Sequence, residues 1–199
     1  MNIYQSEKIR NVVLLGHGGS GKTTLTEAMA YVSGITNRMG SVTDGNTVSD
    51  FDKEEIKRKF SISTTIVPIE AEGCKINVLD TPGYFDFVGE VEEAVSAADC
   101  AVIVVSAKDG VQVGTKKAWD MCDEKDIPRF IFVTGMDNAE IDFHAVMDNL
   151  TEAFGGKVKP IHLPVVEGGK LTGLGNVPYS KACRFLDKGK CEVMPVPDS

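Results

Sequence analysis

The sequence predicts an α/β fold: a mainly parallel sheet, helices on both faces, and one antiparallel edge strand. Three observations carry that expectation. Short apolar runs alternate with segments of helical period along most of the chain. The runs are nearly continuous in hydrophobicity, as strands covered on both faces are. One run contains Pro68, which has no amide to give to a ladder and so belongs at a sheet edge.

Taken in order, "NVVLLG" over residues 11–16 is a buried parallel strand ending in glycine. Residues 22–33 have helix-forming composition, with Leu25, Ala28, Met29 and Val32 on one face. Residues 33–60 are polar, lack sustained periodicity and are too long for an idle connection, which marks a functional or mobile segment. Its charged part, 52–59, is a candidate short helix. Residues 61–80 read as two strands about a turn at Glu72 and Gly73, the first being the edge strand. A helix over 87–98, a buried strand over 100–107, an amphipathic helix over 114–124 with Ala118, Met121 and Cys122 inward, and a strand over 128–135 follow. Asp142 is placed to cap a helix over 142–154, and 157–166 is a further strand.

From residue 167 the texture becomes rich in glycine and proline with short strand-like pieces. This divides the chain into a domain over 1–166 and, over 167–199, an appendage or the start of an inserted subdomain. The ending "MPVPDS" is expected to be a truncation rather than a natural domain end.

Bulk properties bound the function. The 199 residues suit one domain with a sizeable core and part of a second. A net charge of -8 without a polybasic block argues against direct DNA binding by this chain alone. Five widely spaced cysteines with no C-x-x-C argue for reduced thiols rather than a zinc site or a disulfide framework. The first ten residues carry no apolar signal segment, and the apolar run over 100–105 is far too short to span a membrane. A cytoplasmic protein without membrane partners is the expectation.

Two motifs carry chemistry, both at the carboxyl ends of strands, where ligands bind in such sheets. "GHGGSGKT" fits G-x-x-x-x-G-K-[ST] between a strand and a helix, the signature of a three-layer P-loop NTPase. Gly16, Gly18, Gly19 and Gly21 let backbone N–H groups converge on phosphate oxygens, with Ser20 and Thr24 on the same cradle. The helix offers its positive end to the same anion. Lys22 reaches the β- and γ-phosphates and the Thr23 hydroxyl ligates Mg²⁺. His17 reads as a loop residue beside the cradle rather than a catalyst. "INVLDTPG" is a strand ending in Asp80, a carboxylate suited to hold Mg²⁺ through water. Gly83 brings its N–H to the γ-phosphate with no side chain in the way, and loses that contact on hydrolysis.

With these motifs in order, the sequence resembles the translational GTPases, above all elongation factor G, from about Lys8 to its end. The family reads A-H-I-D-A-G-K-T, R-G-I-T-I and D-T-P-G-H-V-D-F where this chain has "GHGGSGKT", "RKFSI" over 58–62 and "DTPGYFDF" over 80–87. "SAKDGVQVGT" over 106–115 and "LTGLGNVPYSKACRF" over 171–185 match the family's G-V-Q segment and the start of its G-domain insertion. The resemblance implies a GTP-binding (G) domain over 1–166 that takes GTP or GDP with Mg²⁺. It implies slow Mg²⁺-dependent hydrolysis in isolation and action on the ribosome during translocation, through a full-length protein. The domain on its own is expected to be monomeric. Ribosome-protecting tetracycline-resistance proteins share this domain, and a GTP-binding switch with little hydrolysis is a further alternative. A P-loop kinase of small molecules is the rival from another class, against which D-T-P-G and Asp137 argue.

The match departs at several positions. Ser61 aligns with the threonine that closes over Mg²⁺ and the γ-phosphate; its hydroxyl can do the same job without the methyl that stiffens the rotamer, or it merely begins a strand. Gly19 replaces a family aspartate that resembles a ligand for a monovalent cation, which puts such an ion in doubt. The guanine-reading N-K-x-D aligns with "TGMD". Asp137 keeps the carboxylate that accepts two hydrogen bonds from guanine, whereas Thr134 and Gly135 replace the asparagine and the lysine that covers the base. The implication is looser affinity, not a change to ATP. Tyr84 replaces the histidine that orients the attacking water. Phosphoryl transfer needs positioning more than a strong base, so a tyrosine hydroxyl serves as water positioner; alternatively Tyr84 packs on Phe85 or Phe87 and faces away. "SAK" over 106–108 precedes Asp137, the wrong order for a base-binding motif, and reads as a strand end.

Overall fold

The computed structural model describes residues 2–186 and 189–196; the last three residues of "MPVPDS" lie outside them. The chain divides into two compact units, one of residues 1–106 and 112–134, the other of residues 107–111 and 135–199.

The first unit is built on a five-stranded sheet of β1 (Ile9–Leu15), β2 (Thr65–Ala71), β3 (Cys74–Asp80), β4 (Cys100–Ser106) and β5 (Arg129–Thr134), in the order β2-β3-β1-β4-β5. The pairs β3–β1, β1–β4 and β4–β5 are parallel, whereas β2 runs antiparallel to β3 at the edge. Pro68 sits on that edge strand opposite Asn77, where its missing amide costs no ladder bond. Glu72 and Gly73 join β2 to β3 with φ of 48° and 72°. Two consecutive positive values are what a tight two-residue hairpin turn requires.

The helices that accompany the sheet are α1 (Lys22–Val32), α2 (Lys53–Arg58), α3 (Val88–Ser96) and α4 (Val113–Glu124), with a 3-10 turn at Phe85–Phe87 before α3. Of these, α1, α3 and α4 cover its two faces. On one face Leu14, Val67, Ile69 and Val78 pack with Ala30 of α1, flanked by Leu25, Met29, Ile76 and Val102. Strand alternation sends Val13, Leu15, Ile103 and Val105 to the other face. They are buried there, with α3 against β1 and α4 against β4.

One helix face differs from expectation. The buried stripe of α1 runs through Thr23, Thr26, Glu27 and Ala30, while Val32 is 61% exposed. Polar side chains occupy a core face here because they find backbone partners. The Thr26 hydroxyl, for one, donates to Lys22 O at 3.2 Å.

The second unit holds α5 (Phe143–Phe154), capped by Asp142, whose carboxylate accepts from His144 N at 2.9 Å. It also holds an antiparallel sheet of β6 (His162–Glu167), β7 (Lys170–Asn176), β8 (Lys181–Phe185) and β9 (Cys191–Met194), in that order. β6 pairs with β7 through Val166–Leu171 and Glu167–Lys170, so the division drawn at 166/167 falls within a hairpin. The expectation of five free thiols is corrected. Cys183 and Cys191, on adjacent strands with Cα atoms 5.7 Å apart, are joined as a disulfide, while Cys74, Cys100 and Cys122 are free. The register of β8 on β9 creates that proximity, and cysteine spacing does not reveal it. Among the described residues no helix is long and apolar enough to cross a membrane.

Candidate functional site

The loop after β1 is shaped by glycines in conformations other residues resist. Gly16 has φ 141°, and a Cβ there would lie 2.4 Å from Val104 O. Gly21, at φ 97°, precedes α1 without a side-chain cap. The first-turn N–H groups of α1 are therefore left to an anion. Lys22 is buried at the same spot, its Nζ donating to Gly16 O at 3.0 Å and His17 O at 3.1 Å. Burial lowers its ammonium to about 8, against the pull of Asp80 and Asp50. A cation so poorly solvated gains strongly from a phosphate neighbour.

Beside Lys22 lies a cluster of hard oxygen donors. Ser61 Oγ donates to Asp50 Oδ1 at 2.7 Å and stands 3.2 Å from Thr23 Oγ1. Ser61 has spent its one proton on Asp50, so Thr23 is the donor of the second bond. Asp80 is 1% exposed, and its carboxylate oxygens, though close to the Ser49 and Thr23 hydroxyls, make no well-formed hydrogen bond among the described residues; Asp50 Oδ2 is likewise buried and unpaired. Burial raises the Asp80 carboxyl to about 6, with the Ser49 and Thr23 hydroxyls and Lys22 pulling it down. Burial also raises Asp50, against its Ser61 bond. Unpaired buried carboxylate oxygens beside two hydroxyls fit a small hard cation such as Mg²⁺.

The loop after β3 lies directly on the phosphate loop. Thr81 Oγ1 donates to Leu14 O at 2.6 Å. A Cβ on Gly83 would stand 2.6 Å from Lys22 Nζ and 2.7 Å from Gly18 Cα. Tyr84 packs on Phe60, with ring centroids 4.7 Å apart. Its other neighbour is Gly18, where a Cβ would meet the ring at 3.1 Å. Tyr84 thus sits over the phosphate loop with 47% of its surface exposed. Its packing partner is Phe60, not Phe85 or Phe87. His17 is half-buried with Nδ1 unpaired among the described residues, and its ring is 6.0 Å from Phe85.

The three residues that follow Ser61 are held by two carboxylates. Glu55 Oε1 accepts from Ile62 N at 2.9 Å and Ser63 N at 3.1 Å. Glu90 Oε2 accepts from Thr64 N at 2.7 Å. Through Glu55, α2 is tied to the chain just beyond Ser61.

Lys22, Thr23, Ser61, Asp80, Gly83 and Tyr84 gather around one loop. Thr24 is exposed in the first turn of α1, and Ser20 is buried. Gly19, at φ 82°, has open space at its Cβ position. Thr134 closes β5 against the loop, its Oγ1 donating to Ser20 O at 2.7 Å. Gly135 and Asp137 belong to the second unit. Sequence reading missed Asp50 and Ser49, which lie in an aperiodic polar stretch with no local mark of their role.

Comparison with known proteins agrees with this geometry. The family described as Elongation factor Tu GTP binding domain matches residues 7–194. The chain is 42% identical over 160 residues to an elongation factor G-like protein of Mycobacterium tuberculosis, covering 80% of this chain and 22% of that protein. It is 38% identical over 184 residues to a mitochondrial ribosome-releasing factor 2 of Anopheles gambiae, covering 92% and 25%. A crystal structure of a Thermus thermophilus protein superposes with a TM-score of 0.89 at 42% identity, covering 96% of this chain and 28% of that one. The chain spans about a quarter of the length of such relatives. Matched over nearly its whole length, this chain belongs to the elongation factor Tu GTP-binding domain family.

Proposed function

We propose that the chain binds GTP and Mg²⁺ and hydrolyses GTP slowly by itself. In this reading it serves an elongation factor G-like protein that works on the ribosome in translocation, in the cytoplasm. The nucleotide site lies within residues 1–166, and residues 167–199 open an insertion. The observation that carries the reading is the convergence of Lys22, Thr23, Ser61 and Asp80 under Gly83.

The residues divide the work. Loop N–H groups and Lys22 hold the phosphates and offset their charge. Thr23, Ser61 and Asp80 would hold Mg²⁺, which when bound would offset charge on the phosphates. Gly83 offers its N–H to the γ-phosphate. Asp137 reads guanine, with Thr134 and Gly135 giving a lighter grip on the base. Tyr84, seated over Gly18, positions water through its hydroxyl without becoming a cation. Relatives named elongation factor G and ribosome-releasing factor 2 both match. Ribosome release is thus a second reading on the same nucleotide chemistry.

Titration with GDP and ADP tests the base assignment: GDP binds more tightly, and Asp137→Ala removes most of the preference. Equal binding of GDP and ADP would revive a small-molecule kinase. Single-turnover assays of the full-length protein with ribosomes test hydrolysis, and no cleavage would leave a binding switch.

A further inference from the structure

We propose that Glu27 is a positioning residue, setting the segment that closes the metal side of the nucleotide site. The proposal rests on the nucleotide-binding reading above. Glu27 lies in α1, five residues beyond Lys22, and is 1% exposed. A carboxylate is buried at great cost unless its oxygens are bonded. Here each oxygen accepts one backbone N–H: Oε2 from Gly40 at 2.7 Å and Oε1 from Val48. Both donors lie in a stretch without helix or strand between α1 and α2. Glu27 supplies the acceptors a neighbouring strand would otherwise give.

The surroundings suit that contact. A Cβ on Gly40 would stand 2.5 Å from Glu27 Oε2 and 2.6 Å from Asn46 O, so no larger residue fits there. Asn46 ties the turn, its Oδ1 accepting from Ser41 N at 2.8 Å and its carbonyl from Arg38 at 3.2 Å. Directly beyond Val48 come the buried Ser49 and Asp50. Asp50 N donates to Thr47 Oγ1 at 3.2 Å, and Asp50 takes the Ser61 hydroxyl. One helix therefore carries Lys22 and Thr23 at its start and, roughly 7 Å further along its axis, the carboxylate that fixes the segment delivering Asp50. Glu27 touches neither nucleotide nor metal in this scheme; it sets where Asp50 and Ser61 stand relative to Thr23.

The test uses the full-length protein. Glu27→Gln keeps the shape but turns a donor toward one of the two N–H groups. Gly40→Ala leaves Glu27 intact and crowds its Oε2 from the opposite side. Each is expected to raise the Mg²⁺ concentration that half-maximally tightens GTP binding by about tenfold, the order of one lost charge-assisted bond. GDP binding in EDTA stays unchanged. The double variant is expected to be no worse than Gly40→Ala alone, whose added Cβ disturbs the Glu27 contact and also crowds Asn46 O. In the wild type, Mg²⁺ with GTP increases hydrogen-exchange protection of the Gly40 and Val48 amides, and GDP in EDTA does not. A lower Tm with an unchanged Mg²⁺ midpoint would make Glu27 a packing residue and overturn the proposal, as would amide protection indifferent to the nucleotide. Absence of GTP binding by the wild type would instead overturn the nucleotide-binding reading itself.

Discussion

The ring of Tyr84 rests on the ring of Phe60, centroids 4.7 Å apart and planes tilted by 55°. This contact links the loop that carries Ser61 to the loop that carries Gly83. It separates two properties of Tyr84 that one substitution can distinguish, its ring and its hydroxyl. Tyr84→Phe keeps the ring packing and removes the polar atom. Single-turnover hydrolysis on ribosomes is expected to fall by roughly tenfold or more, with Tm and GDP affinity unchanged. An unchanged rate would mean that the hydroxyl does not position the water.

The phosphate loop makes room for that ring at Gly18. Alanine there would place its Cβ 3.1 Å from Tyr84. Gly18→Ala is expected to cost about 1 kcal/mol by overpacking, and less than that in a Tyr84→Ala background. Denaturant unfolding of the four proteins reads the difference. Equal costs in both backgrounds would show that the ring is not the obstacle.

The buried pair Asp80 and Lys22 gives the nucleotide-free, Mg²⁺-free chain an unusual pH profile. Folding raises the Asp80 carboxyl from 3.8 to about 6, so between these values the folded state holds more protons and stability falls as pH rises. Folding lowers Lys22 from 10.5 to about 8, so its contribution improves as pH climbs through that upper window. Unfolding free energy measured across pH should fall between about 4 and 6, and Asp80→Asn should flatten that limb. A limb equally steep in the variant would remove Asp80 as its source.

Lys59 ends α2 in the left-handed region at φ 59°, its N–H donating to Glu55 O at 2.7 Å. The family pattern R-G-I-T-I has glycine there. Lys59→Gly should relieve strain of about 1 kcal/mol, less the added freedom of the unfolded chain. A modest rise in Tm checks this, and a fall would show that the lysine side chain contributes more than its backbone costs.

Much of the fold is legible in the chain because the deciding chemistry is local. Pro68 announces an edge strand, Glu72-Gly73 a tight turn and Asp142 a cap, each by a rule acting over a few residues. The phosphate loop and D-T-P-G are legible for the same reason. Contacts that join distant residues through ordinary side chains are not. Glu55 and Glu90 hold the amides around Ser61, but their carboxylates look like solvated helix charges in the sequence. Asp50 is hidden likewise, and so is Cys183 beside Cys191, since register rather than spacing brings them together. The buried face of α1 departs from the apolar pattern at Val32 because Thr26 and Glu27 are polar by composition and satisfied by partners only the fold supplies.

Thr134 stands where the family has asparagine, yet its hydroxyl reaches Ser20 O at 2.7 Å and its methyl lies 3.2 Å from the Cβ position of Gly21. The phosphate loop is thereby braced from β5 before any ligand arrives. A loop already held in shape loses little conformational entropy on capturing phosphate. Under the proposed reading, a lighter grip on the base would be partnered by a preorganised grip on the phosphates, so Thr134 would contribute to binding through the shape of the loop rather than through the ring.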